Sequence, residues 1–254
     1  MTPGLAIFYG GMVRAKSTLN MMMMSFSAIG VTTILWVLYA YSLAFGSGGS
    51  FFGNLDHVGL AKTIDQVVGP EGHQIPVLAF SMFQLTFAII TVALLSGAIA
   101  DRAKFSAWLL FSGLWVTFVY APVAHAAFTS DGFLAKTIGS LDFAGRTVVE
   151  INSGAAALAL ALVLGRREGF KRDPMRPHNM PLVLLGAGLL WQPACLGSGC
   201  FDERLRPGRQ CLGFGSAGCI GCGWCRICCF CGQCGFWRGI DPGQVTSNYL
   251  FFGV

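Results

Sequence analysis

Glu150 and Asn152 stand inside an otherwise apolar run, Thr147–Gly165, and Asp142 stands just ahead of it. If that run crosses a membrane, an ionised side chain near its middle costs about 2.5–3.5 kcal/mol even on insertion scales. A helix bears such a group when it faces a packed interior or a wet pathway. The run therefore reads as the wall of a conduit rather than as an anchor. A carboxyl group in that wall can take up and release a proton, and this is the chemistry expected of Glu150. Asp142 has two open readings. Its carboxylate can favour a cation near the mouth of the run, or it can accept the first N–H groups of the helix as an N-cap. Arg146 lies between the two acids. At successive steps of four, Asp142, Arg146 and Glu150 are expected to share one helix face, where they could pair.

Two other sets of residues have types and spacing suited to chemistry. Phe83 and Phe87 are four apart, on one face of a helix. They are either core packing or a pair of rings that offers a π face to a cation, an interaction worth about 0.5–2 kcal/mol. All ten cysteines fall between Cys195 and Cys234, and Cys219, Cys222, Cys225 and Cys229 follow a C-x2-C-x2-C-x3-C spacing. That spacing holds iron–sulfur clusters in ferredoxins, although Phe230 stands where those motifs have proline. No nucleotide-binding loop, hydrolase triad or zinc-protease helix is present, so an enzyme is not expected.

The elements that position these residues are apolar and long. The chain is 54% hydrophobic and only 11% charged, against roughly 25% charged in soluble domains, and its mean hydropathy is +0.62. Apolar segments run over Asn20–Gly46, Pro76–Ala100, Phe105–Phe128 and Thr147–Gly165, with an incomplete one over Met180–Trp191. The first four reach or approach the ~20 residues that span a bilayer. The opening stretch Met1–Gly11 is too short to cross and lacks the basic start of a signal peptide, so it reads as the tail of a longer helix. Basic residues alternate between loops. Arg14 and Lys16, then Arg102 and Lys104, then Arg166, Arg167, Lys171, Arg172 and Arg176 mark one side, whereas loops 47–75 and 129–141 carry only Lys62 and Lys136. By the positive-inside rule the clusters are cytoplasmic and the N-terminus is outside. Topology accounts for the net charge of +5 without a nucleic-acid partner.

Over residues 1–191 the chain resembles the ammonium transporters, the Amt/Mep/Rhesus group. Five ordered motifs carry the resemblance: Pro3-Gly4-Leu5-Ala6-Ile7-Phe8-Tyr9-Gly10-Gly11, Tyr41-Ser42-Leu43-Ala44-Phe45-Gly46, Phe83-Gln84-Leu85-Thr86-Phe87-Ala88, Pro122-Val123-Ala124-His125 and Leu141-Asp142-Phe143-Ala144-Gly145. The resemblance implies an all-α polytopic membrane protein, here the first five to six helices of an eleven-helix fold built from two inverted five-helix repeats. Each subunit would have its own pore, and three subunits would assemble as a homotrimer in the lipid bilayer. Ammonium or ammonia would be the substrate, and no cofactor is implied. In the same terms, Phe83 and Phe87 correspond to the outer aromatic gate, Phe128 stands where many members have a tryptophan of the outer site, and Asp142 matches the acidic residue of the outer vestibule. Glu150 occupies the place of the first of two pore histidines, a variant found in part of the family. Arg146 replaces a small residue, usually glycine. His125 is expected to be a satisfied helix-end histidine.

After Trp191 the resemblance ends. Residues 192–254 form a Cys/Gly-rich tail, read as the product of a shifted reading frame or as disordered, and residues 1–191 as a partial membrane domain. An ammonium pathway with one half of its walls is expected to be impaired or inactive. The alternative is a membrane-anchored metal-binding protein, iron–sulfur or zinc, that works through the cysteines.

Overall fold

The computed structural model describes residues 1–69, 74–140, 142, 145–167, 169–172 and 176–199, the last eight as backbone. The chain divides into two compact units, Met1–Leu190 and Trp191–Val254. The first unit is a helical bundle. Its helices are α1 (Thr2–Met12), α2 (Ala15–Phe45), α3 (Val77–Ile99), α4 (Phe105–Phe128) and α5 (Arg146–Leu164), with α6 beginning at Met180 and running to Gly199. Helices α2 to α5 are each long and apolar enough to cross a membrane, as the apolar segments imply. Helix α2 begins five residues before its apolar segment because its first turns, Ala15 to Leu19, are at the polar end of the bundle. A two-residue antiparallel ribbon pairs β1 (Val67–Val68) with β2 (Ile75–Pro76) between α2 and α3.

Interhelical hydrogen bonds from aromatic side chains tie the bundle together. The Trp36 indole N–H on α2 donates to both the carbonyl and the hydroxyl oxygen of Ser81 on α3, at 3.2 Å each. Trp108 on α4 donates to the Met24 carbonyl of α2 at 2.9 Å, and the Tyr9 hydroxyl of α1 donates to the Leu94 carbonyl of α3 at 3.2 Å. The Tyr39 and Thr117 hydroxyls join α2 to α4 at 2.7 Å. Trp36, Trp108 and Tyr120 are completely buried. In lipid a polar group has no water to fall back on, so these bonds specify which helix packs on which.

Glycine lets α1 and α6 touch backbone to backbone. A Cβ on Gly186 would stand 2.4 Å from the Phe8 nitrogen, and one on Gly4 would stand 2.9 Å from the Leu189 Cβ. Helices α2, α4 and α5 each contain a π-turn, at Trp36–Ala40, Val116–Tyr120 and Arg146–Ile151. In α4 the turn immediately precedes Pro122, which has no N–H to give its preceding turn, so the wider spacing absorbs the interruption.

The basic loops gather at one end of the bundle. Arg14 pairs with Asp101 at 3.2 Å, and the Ser17 hydroxyl also donates to that carboxylate. Arg102 donates to the Gly165 carbonyl at 2.5 Å, Arg167 donates to the Gly97 carbonyl at 3.3 Å, and His178 Nδ1 lies 2.9 Å from the Val13 carbonyl. The described parts of the loops after α2 and α4 meet at the other end, where the Phe133 N–H donates to the Ser50 carbonyl and the Phe51 and Phe133 rings stack.

Candidate functional site

Three helices bring their phenylalanines together at the end opposite the basic loops. The Phe83 and Phe87 rings on α3 meet edge to face with centroids 5.0 Å apart. Phe87 meets Phe128, the last residue of α4, at 6.5 Å and 64°. Phe128 in turn stacks on Phe45, the last residue of α2, at 6.2 Å and 11°. The i, i+4 spacing on α3 explains the first contact, and the shared level of the α2 and α4 ends explains the others. Phe83 is 55% exposed, whereas Phe87, Phe128 and Phe45 are half-buried. The set is a short row of rings leading from an exposed face inward, and its π faces suit a cation stripped of water. Sequence reasoning picked out Phe83, Phe87 and Phe128. It passed over Phe45, whose only signal was its place in the motif that closes α2.

Asp142 lies just before α5 and acts as its cap. Its Oδ2 accepts the N–H groups of Thr147 at 2.9 Å and Val148 at 3.0 Å. Between the carboxylate and the helix, Gly145 takes a left-handed conformation with φ 77°, which an L side chain rarely adopts. That glycine also lies against the site: a Cβ there would stand 3.2 Å from Phe87. The cap thus holds the start of α5 over the aromatic row. Leu141, Phe143 and Ala144 of the same motif lie outside the described residues.

The expected acid–base–acid face is corrected by the same geometry. Helix α5 begins at Arg146, so Asp142 precedes the helix and the reversal at Gly145 removes it from any i, i+4 row. The first turns of α5 are also π-helical, with more residues per turn than the α-helix on which that spacing was based. Arg146 and Glu150 are both exposed, while Val148 and Val149 turn into the core. Glu150 lies on a face of α5 that also exposes Ile151 and Leu158. Nearby, Asn152 Nδ2 is buried with no hydrogen-bond partner among the described residues, as is Gln84 Oε1 beside Phe83.

His125 is wholly enclosed and structural. Its Nδ1 faces the Ala44 carbonyl at 3.1 Å and its Nε2 faces the Gly49 carbonyl at 2.7 Å, which clamps the end of α4 to the chain leaving α2. Among the described residues no group of three or more His, Cys, Asp or Glu side chains could hold a metal ion. Cys219, Cys222, Cys225 and Cys229 lie outside the described residues.

Comparisons with known proteins agree with the motifs. The profile of the Ammonium Transporter Family matches residues 1–192. The ammonium transporter of Mycobacterium tuberculosis (strain H37Rv) is 54% identical over 213 residues, an alignment covering 75% of this chain and 45% of that protein. The Bacillus subtilis ammonium transporter is 48% identical over 191 residues, covering 75% and 46%. The crystal structure of Saccharomyces cerevisiae Mep2 superposes with a TM-score of 0.67 at 32% identity, covering 78% of this chain and 45% of Mep2. The chain spans somewhat less than half the length of these relatives. With three quarters of the chain matched in sequence and fold alike, it belongs to the ammonium transporter family, a family of multi-pass membrane transporters and not of enzymes.

Proposed function

We propose that this chain supplies the N-terminal half of a transmembrane pathway for ammonium or ammonia, with Phe83, Phe87 and Phe128 as its outer aromatic gate. The observation that carries the reading is the row of rings across α3, α4 and α2, held under the capped start of α5. A cation drawn from water is met by π faces before it reaches the apolar interior. Asp142 supports the gate by capping α5, and its charge favours a cation nearby. Glu150 is the acidic residue of the pore wall and carries a proton along it. The exposed Glu150 and the orphaned Asn152 Nδ2 are consistent with a wall that other polypeptide completes. On this reading residues 1–191 alone transport poorly, the N-terminus faces outward, and the complete protein assembles as a homotrimer.

The test is uptake of labelled methylammonium into liposomes. Two proteins are compared: this chain, and residues 1–191 fused to the remaining half of the Mycobacterium tuberculosis relative. The fusion should transport and the chain alone should not. Within the fusion, Phe87→Ala should lower uptake several-fold, and Glu150→Ala should lower it as well. Unchanged uptake in both variants would remove the gate and the relay from the proposal.

A further inference from the structure

Phe45 is the ring at which the buried aromatic cluster of the bundle meets the exposed row. It touches four other rings. Tyr41, one turn earlier on α2, stacks on it at 5.6 Å and 27°, and Trp36 meets it edge-on at 6.2 Å and 71°. Phe80 on α3 meets it edge-on at 5.2 Å and 83°. Phe128 on α4 lies parallel to it at 6.2 Å and 11°. Trp36 and Tyr41 belong to the buried core, and Trp36 is tied to Ser81 through its indole N–H. Phe45 itself is half-buried, so it carries the rigidity of that core outward.

The backbone beneath Phe45 is fixed as closely as its ring. The Gly46 N–H donates back to the Ser42 carbonyl at 2.8 Å, and a Cβ on Gly46 would collide with that carbonyl, so the chain leaves α2 in one sharp turn. The Gly53 N–H donates to the Leu43 carbonyl at 2.8 Å and folds the loop back onto the helix end. From α4, His125 faces the Ala44 and Gly49 carbonyls, one turn before Phe128. The ends of α2 and α4 are thereby held level, with Phe45 opposite Phe128. Phe128 has fewer supports of its own. A phenyl ring has no hydrogen-bonding group, and Phe128 is the last residue of α4, with the backbone extended from Thr129. Among the described residues its ring partners are Phe45 and Phe87. Orientation decides what such a ring can do. Its face is negative and its edge positive, so a cation is held by the face and repelled by the edge. Phe45 covers one face of Phe128 and fixes the plane of the ring, which leaves the opposite face for a cation.

We propose that Phe45 is a positioning residue of the outer gate, holding the Phe128 ring so that it meets a cation with its face. The inference rests on the reading of Phe83, Phe87 and Phe128 as that gate. It adds a residue that governs affinity through Phe128 without touching the cation itself.

A double-substitution cycle in two settings tests this. In the whole chain in detergent, Phe45→Leu and Phe128→Leu should each lower the unfolding midpoint. The double variant should lower it by clearly less than the two shifts together, as for rings in contact. Additive shifts would overturn the proposal, whether or not any protein transports. In the fusion with the Mycobacterium tuberculosis half, methylammonium uptake supplies the functional reading. Phe45→Leu should raise KM about three- to tenfold and leave kcat within about twofold, the signature of lost cation binding. On a Phe128→Leu background the same substitution should change KM no further. Phe45→Tyr, which keeps the ring, should restore KM, whereas a purely structural role would lower the maximal rate on both backgrounds. Should Phe45→Leu fail to fold, Phe80→Leu removes the edge contact that braces Phe45 and should raise KM in the same Phe128-dependent way. Unchanged KM in Phe45→Leu, with KM raised in Phe128→Leu, would overturn the positioning role and leave the gate standing. Unchanged KM in Phe128→Leu would remove Phe128 from the gate, and the proposal with it.

Discussion

Asp142 shows how one side chain can fix the start of a helix that borders the aromatic row. Its carboxylate accepts two N–H groups at the start of α5, where the helix dipole also favours negative charge. Removing such a cap typically costs about 0.5–2 kcal/mol. Asp142→Ala should therefore lower the thermal unfolding midpoint of the chain in detergent, followed by circular dichroism, and Asp142→Asn should recover much of the loss. Arg146 presents the opposite case. It is the first residue of α5, so its charge sits at the positive end of the dipole, beside the glycine that packs on Phe87. Arg146→Gly should raise uptake by the completed fusion protein, and an unchanged or lower rate would show that the guanidinium is tolerated at the mouth. The capping role of Asp142 could be read from the sequence, because an acid just ahead of an apolar run has that role by local chemistry. The triad with Arg146 and Glu150 could not. It assumed that helical spacing extended back through Gly145, where the backbone reverses.

At the scale of the element, the spans were legible and their mutual contacts were not. Apolar runs marked α2 to α5 to within a few residues, since lipid imposes length and composition on any helix that crosses it. Which helices touch depends on features with no periodic signature. The Trp36 and Trp108 indoles find carbonyls on other helices, and Phe45 joins the aromatic row only because α2 and α4 end at the same level. Glycines on α6 give a direct test of such a contact. Gly186 meets the α1 backbone at Phe8, whereas Gly188, two residues on, has open space around it. Overpacking a close contact costs about 1–3 kcal/mol. Gly186→Val should thus destabilise the bundle by that order in a detergent melt, while Gly188→Ala should leave the midpoint within error. Equal effects would mean that helix propensity, and not the α1–α6 approach, governs both sites.

For the molecule as a whole, we propose that the distribution of charge sets the direction of insertion. Arg14, Lys16, Arg102, Lys104, Arg166 and Arg167 come together at one end through Asp101, Gly165 and Gly97, and the aromatic row lies at the other. Lys and Arg resist translocation when they lie close to a span, so the basic end should stay in the cytoplasm and the gate should open outward. Reporter fusions at three depths separate the possibilities. An alkaline phosphatase inserted in loop 47–75 should be active, because that enzyme folds only outside the cytoplasm. A fluorescent protein inserted after Arg172 should fluoresce, and one placed before Met1 and exported by the same route should not. Substituting Arg166, Arg167, Lys171 and Arg172 by glutamine leaves the apolar spans untouched while removing most of the bias of the last loop. If charge sets the direction, that variant should give a mixed population, with fluorescence lost from part of the protein tagged after Arg172. A single unchanged orientation would instead assign the direction to the first two basic turns, at Arg14–Lys16 and Arg102–Lys104.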